Sequence, residues 1–273
     1  MIKKLFPQGK EKAFNVTYDD GVLQDVPFVN LLNKYKLKGT FNLNSELMEK
    51  EFTWIHESGN EVKRLSKDKV VDLYFNHEVA SHTLTHPYMN DLSEEQILHE
   101  LIQDKQNLEK IFNKKILGFA VPFDYYDERI AKCVKQCNFE YARISEESNS
   151  FIPQEDYYFW KAGILHFNPN LNNFVDKFIK TNEELAICQI VGHSYDLDYE
   201  NLWEVIENIF IKITKENNIL PMTNIEIIQY LKAMRSAEVL ENKIINNSNI
   251  DLWFKIDNKT ICVKANQNYT INK

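Results

Sequence analysis

The chain lacks the marks of a disulfide scaffold, a membrane protein and a nucleic-acid binder. Its 273 residues hold four cysteines, Cys133, Cys137, Cys188 and Cys262, too few and too scattered for a disulfide framework. Cys133 and Cys137 miss the CxxC spacing of metal and redox sites, so all four read as small buried thiols. No stretch reaches the ~18 uninterrupted apolar residues of a transmembrane helix. The opening residues, from Met1 to Pro7, carry two lysines but no apolar run behind them, so no signal peptide is expected and a cytoplasmic location is the default. Basic charge is in deficit, 32 Lys and Arg against 40 Asp and Glu, and nowhere forms a stripe that could track phosphates. Nucleic acid is excluded as a partner.

What is present is an ordinary globular composition, 44% hydrophobic and 26% charged, in a chain long enough for one large core. Strand-like runs alternate with helix-like runs, which predicts a parallel sheet with helical crossovers. The expected strands are Phe14 to Tyr18, Thr40 to Leu43, His77 to Ser81, Ile116 to Val121, Tyr141 to Ile144, Leu185 to Val191 and Ile219 to Met222. Between them, Asp25 is placed to cap a helix with Pro27 in its first turn. Ser93 and Gln96 form a capping box for a helix over Glu94 to Phe112. Later helices are expected near Leu171 to Ile179, over Tyr199 to Glu216, and up to about Arg235. About seven strand–helix units point to an α/β barrel. After Ser236 the texture changes to short alternating runs parted by Asp257-Asn258 and Asn266 to Asn268, predicting a small β-rich extension over 236–273 behind a barrel over 1–235.

In such a barrel, functional side chains gather where strands end. The first strand ends in Asp19-Asp20-Gly21, the third runs into Ser81-His82-Thr83-Leu84-Thr85-His86-Pro87, the fourth into Val121-Pro122-Phe123, and the strand after residue 185 into Gly192-His193-Ser194. Two carboxylates and three imidazoles therefore share the carboxyl ends of strands. Two neutral imidazoles with one carboxylate suit zinc or a similar divalent ion and leave positions open. His82 and His86 belong to a strand-to-loop segment, because β-branched Thr83 and Thr85 lie between them and Pro87 follows.

These four segments resemble, in order, the motifs of the polysaccharide deacetylases, the NodB-homology or carbohydrate esterase family 4 group, over roughly residues 13–235. The resemblance implies a distorted (β/α)7 barrel and metal-dependent removal of N- or O-acetyl groups from a sugar or polysaccharide. It implies Asp19 as general base, Asp20, His82 and His86 as ligands of a divalent metal, most simply Zn2+ with Co2+ possible, and His193 as general acid. It also places the backbone N–H of Phe123 at the oxyanion. An acetylated carbohydrate is then the partner, with the oligomeric state left open.

Two departures from the family pattern stand out. Ala120 occupies the place of an arginine that orients the base, and Arg143 is the expected substitute. The aspartate–tryptophan element is not evident, with Trp160 expected to supply its apolar wall. Asn44, Arg143, Trp160 and His166 are the expected substrate-side residues. Two other readings keep the barrel: an amidohydrolase of a small non-sugar amide, or a weakly catalytic carbohydrate-binding protein.

Overall fold

The strand Lys12–Asp19 is buried at every residue, the pattern of a strand covered on both faces. Phe14, Val16 and Tyr18 pack into the main apolar core, while Asn15, Thr17 and Asp19 point the other way, into the barrel. The computed structural model describes residues 2–49, 53–123 and 125–271. Its central sheet is mostly parallel and runs Ala186–His193, Lys12–Asp19, Gly39–Leu43, Glu78–Ser81, Gly118–Ala120, Tyr141–Glu147, Trp160–Ala162. The next strand, Ile164–Leu165, returns to Ala186–His193. Only Gly163 separates the last two strands. A Cβ there would come within 2.4 Å of the Gln189 carbonyl oxygen, so a residue without one lets the chain leave one partner strand for the other. The sheet thus nearly closes into a barrel. Ile219–Pro221 adds against the first residues of Lys12–Asp19.

Register sets the height of the functional residues. Asp19 lies opposite His193 on one side and Asn42 on the other, and Ala120 lies opposite Arg143. Helix Glu94–Phe112 has the expected capping box, and Asn113 ends it in the left-handed conformation. Other local readings change. Asp25 is not a cap: it sits inside helix Asp25–Lys34, and its carboxylate accepts from the Tyr74 hydroxyl (2.5 Å) and the Ser194 hydroxyl (2.5 Å). The expected helix from Tyr199 is two helices, Ser194–Tyr199 and Trp203–Thr214, with left-handed Asn201 between them. A hairpin of Thr53–Ile55 and Glu61–Lys63 and a short helix, Ser45–Glu49, appear where no element was expected.

The C-terminal extension contains antiparallel sheets. Leu252–Ile256 pairs with Lys259–Val263 and with the N-terminal strand Ile2–Leu5; Lys243–Ile245 pairs with Glu238–Val239 and Asn268–Thr270. Leu252, Phe254 and Val263 form a second apolar core with helix Asn224–Ser236. Among the described residues no helix is long and apolar enough to cross a membrane.

Candidate metal and catalytic site

At the end of Lys12–Asp19 the chain turns sharply, with Asp20 at φ 85°. Thr83 (68°), His86 (59°) and Phe123 (53°) adopt the same left-handed region in neighbouring loops. Non-glycine residues in this region carry strain, and a cluster of them marks a site whose surroundings hold it in place. The holding groups are visible. Glu100 accepts from the Thr85 N–H (2.9 Å) and hydroxyl (2.8 Å). One turn further along the same helix, Asp104 accepts from the Ser81 hydroxyl (2.6 Å) and the Ser45 N–H (2.7 Å). Burial pushes the Asp104 carboxyl up to about 7, against these hydrogen bonds.

Asp20, His82 and His86 converge, their ligand atoms all lying within 4.8 Å of one another. The His82 Nε2 lies 3.9 Å and the His86 Nε2 3.6 Å from Asp20 Oδ1. His82 Nδ1 is engaged by the Ala120 carbonyl oxygen at 2.8 Å, which fixes the tautomer with Nε2 free to ligate. Burial lowers both imidazoles, His82 to about 3, so both are neutral donors at physiological pH. Asp20 Oδ1 is buried without a hydrogen-bond donor aligned on it. A carboxylate oxygen that takes no aligned hydrogen bond and faces two imidazole nitrogens, with the Arg64 guanidinium 2.9 Å away, fits a divalent cation of borderline softness.

Asp19 faces the barrel interior and takes a different set of partners. Arg143, fully buried, donates through one terminal nitrogen to Asp19 Oδ1, and the Asn42 amide donates to the same oxygen at 2.6 Å. Burial pushes the Asp19 carboxyl up, but the Arg143 guanidinium together with the His82 and His193 imidazoles outweighs it and holds Asp19 below the ordinary range. The cation comes from the strand beside Ala120, whose small side chain leaves that position without one.

His193 keeps 34% of its side chain exposed. Its Nδ1 is 3.1 Å from Asp196 Oδ2, and its Nε2 is 3.9 Å from Asp20 Oδ2. Asp196 lies one turn further on, in the short helix that begins at Ser194. His166 Nε2 approaches the same Asp196 oxygen at 3.1 Å, with its Nδ1 3.0 Å from the Tyr18 hydroxyl. Desolvation disfavours charge on His193, but the hydrogen bond to Asp196 and the carboxylates of Asp20 and Asp19 prevail and push its pKa up to about 9. Asp196 itself is held far below the usual carboxylate range, burial being outweighed by the two imidazoles.

The four residues expected on the substrate side have buried side chains. Asn44 donates to the His82 and Thr83 carbonyls, Arg143 serves Asp19, and His166 holds Asp196. Trp160, 2% exposed, packs in the second core beside Tyr157. The exposed aromatics lie elsewhere. Tyr88 and Phe123 stack face to face at 3.9 Å with Tyr125 beside them, and the Phe123 ring meets His86 edge-on at 4.6 Å. Sequence reasoning missed Asp196 and also Arg64, whose terminal nitrogen lies 2.9 Å from Asp20 Oδ1.

The family model for polysaccharide deacetylase matches residues 7–142, and over that span the chain belongs to the polysaccharide deacetylase family. A curated relative, the peptidoglycan-N-acetylglucosamine deacetylase of Bacillus cereus, is 24% identical over 132 residues, 48% of this chain and 55% of the relative. The chain therefore spans little more than half the length of that relative. Among solved structures, a family 4 carbohydrate esterase from Streptomyces lividans superposes with a TM-score of 0.51 at 15% identity, covering 77% of this chain and 91% of that one. A family 4 pseudoenzyme from Bacillus anthracis superposes at 0.52 with 16% identity, covering 83% and 68%. At such identities the likeness shows the fold, and a pseudoenzyme shares it, so activity has to be argued from the side chains.

Proposed function

We propose that this protein hydrolyses acetyl groups from an acetylated carbohydrate, with Asp19 as base, His193 as acid, and Asp20, His82 and His86 holding a divalent ion, most simply zinc. The observation that carries the reading is the division of labour between two adjacent carboxylates. Asp20 turns towards two imidazole nitrogens, while Asp19 turns towards Arg143 and Asn42. A bound divalent cation would supply Lewis-acid polarisation of the acetyl carbonyl and acidify an attacking water. Asp19, kept ionised by Arg143, takes the proton of that water as the carbonyl is attacked. The Phe123 N–H is the candidate donor to the developing oxyanion, a contribution of about 3 kcal/mol for such donors. His193, kept cationic by Asp196, delivers a proton to the departing amine or alkoxide.

Two features bear on the alternatives. The reading as a weakly catalytic binding protein rests on Ala120 standing where an arginine is expected and on the β-rich tail; against the first, the Arg143–Asp19 pair supplies a cation to the base by another route. The exposed Tyr88–Phe123–Tyr125 surface favours a sugar over a small amide, since sugar rings stack on aromatic faces. The relative's substrate, N-acetylglucosamine in peptidoglycan, makes N-acetylated glycans the first choice. Acetate release from N-acetylglucosamine oligomers, peptidoglycan and O-acetylated xylan, beside a set of small amides, tests the proposal. Turnover of an acetyl sugar that vanishes on chelation and returns with Zn2+ or Co2+ is expected. Turnover confined to small amides, or surviving complete metal removal, would overturn it.

A further inference from the structure

The hairpin Thr53–Ile55/Glu61–Lys63 delivers Arg64 to the metal-ligand cluster. Leu23 N–H donates to the Lys63 carbonyl at 2.9 Å and Leu65 N–H to the Gly21 carbonyl at 2.8 Å, so the residues around Arg64 are zipped along the turn that carries Asp20. The guanidinium is buried. One terminal nitrogen donates to the Asp20 main-chain carbonyl and to Asn44 Oδ1 (2.7 Å); the other lies 2.9 Å from Asp20 Oδ1. The Trp54 ring covers it at 5.2 Å. Asp20 Oδ1 is also the oxygen that faces His82 and His86. A single carboxylate oxygen is therefore shared between a permanent cation of the protein and the place where a divalent ion is held. With Arg143 on Asp19, each of the two carboxylates at the site is already matched by a guanidinium.

Resting on the metal reading of the site, we infer that Arg64 is a tuning residue: it neutralises Asp20 so that a divalent ion is bound less tightly and keeps more of its own positive charge for the substrate. The argument is electrostatic. A buried site with two carboxylates and two neutral imidazoles would carry two negative charges, which would bind a dication firmly and blunt its pull on a carbonyl oxygen. Arg64 and Arg143 bring that charge to zero. Arg143 meets the base, so Arg64 is the cation that acts through the ligand. A guanidinium suits this role because it stays charged when buried and can bond to a carboxylate, a carbonyl and an amide oxygen together.

The test is zinc affinity, measured by competition with a chromophoric chelator at one pH, for the wild type, Arg64→Gln, Arg64→Leu, Arg64→Lys and Asp20→Asn. Both charge-removing variants are expected to bind zinc about tenfold or more tightly than wild type, since removing a like charge a few ångströms from a buried cation favours binding by at least that much. Arg64→Lys keeps the charge and should stay within about threefold of wild type. If Arg64 only clamps the hairpin, all three substitutions weaken binding; that result, or unchanged affinity in Gln and Leu, overturns the inference. Two uncharged variants of different shape are included so that misfolding of one leaves the other to decide. Wild type that binds zinc no better than Asp20→Asn would overturn the site reading itself, and this inference with it.

Discussion

Asp19 and Asp20 are adjacent in sequence and opposite in circumstance, one facing Arg143 and Asn42 and the other His82 and His86. Replacing Asp19 with Asn should cut acetate release by about 10²–10⁴-fold, the range for loss of a general base. Zinc content should be unchanged, because Asp19 is not among the converging ligand atoms. A loss of zinc in that variant would contradict the division of labour. A second prediction concerns His193, which is faced by Asp196, His166, Tyr195, Asp20 and Asp19. Its pKa is raised to about 9, so the imidazolium persists at neutral pH and is lost as pH rises through that value. Asp196→Asn should move the alkaline limb of the rate profile down by about a unit or more, towards the ordinary histidine pKa near ~6.5. An unmoved limb would remove Asp196 from the account. The convergence of Asp20, His82 and His86 was legible in the sequence because each of them sits in a distinctive strand-end motif. Asp196 was not, because the Ser194–Tyr199 helix that turns it back onto His193 is only six residues long, too short to carry a periodic signal. Arg64 was hidden for a related reason: it follows a three-residue strand in a hairpin with no periodic signal of its own.

Among the elements, the long helix Glu94–Phe112 does more than cover the sheet. Glu100 and Asp104, one turn apart on its buried face, bind the loop that carries His82 and His86 and the end of the strand before it. Glu100→Ala should leave the helix intact and weaken zinc binding by roughly 10–100-fold, the usual cost of losing a group that orients ligands. Equal affinity with an unchanged circular dichroism spectrum would show that the loop holds itself. The strand–helix alternation made most barrel elements readable, since long buried strands and amphipathic helices carry their periodicity in the sequence. The closing segment was not readable. Trp160–Ala162 and Ile164–Leu165 are short, and the switch from one partner strand to the other between them depends on Gly163 passing against the Gln189 backbone. Gly163→Ala should therefore destabilise the barrel measurably in urea.

For the whole molecule, burial of ionisable groups gives stability a defined pH dependence. The folded-state pKa values of Asp25, Glu78 and Asp104 are all raised by burial to about 7. Their contribution is complete at low pH and is lost as pH rises through 7. His77 and His82 are lowered by burial, to about 4 and about 3, so their contribution is complete above the ordinary histidine value and is lost as pH falls through those pKa values. The melting temperature should peak near pH ~5–6 and decline on both sides; a monotonic rise to pH 9 would contradict this. Truncation after Ser236 would expose the face of helix Asn224–Ser236 that packs on Leu252, Phe254 and Val263, and would strip the N-terminal strand of its partner. A loss of several kcal/mol follows if each large apolar side chain contributes about 1.5–3 kcal/mol on burial. The central claim is that the barrel brings one aspartate and two histidines onto a single ion. Anomalous diffraction at the zinc edge from zinc-soaked crystals tests it directly: the account predicts one peak, ligated by Asp20 Oδ1, His82 Nε2 and His86 Nε2, and a map with no peak there, or with its peak elsewhere, would contradict it.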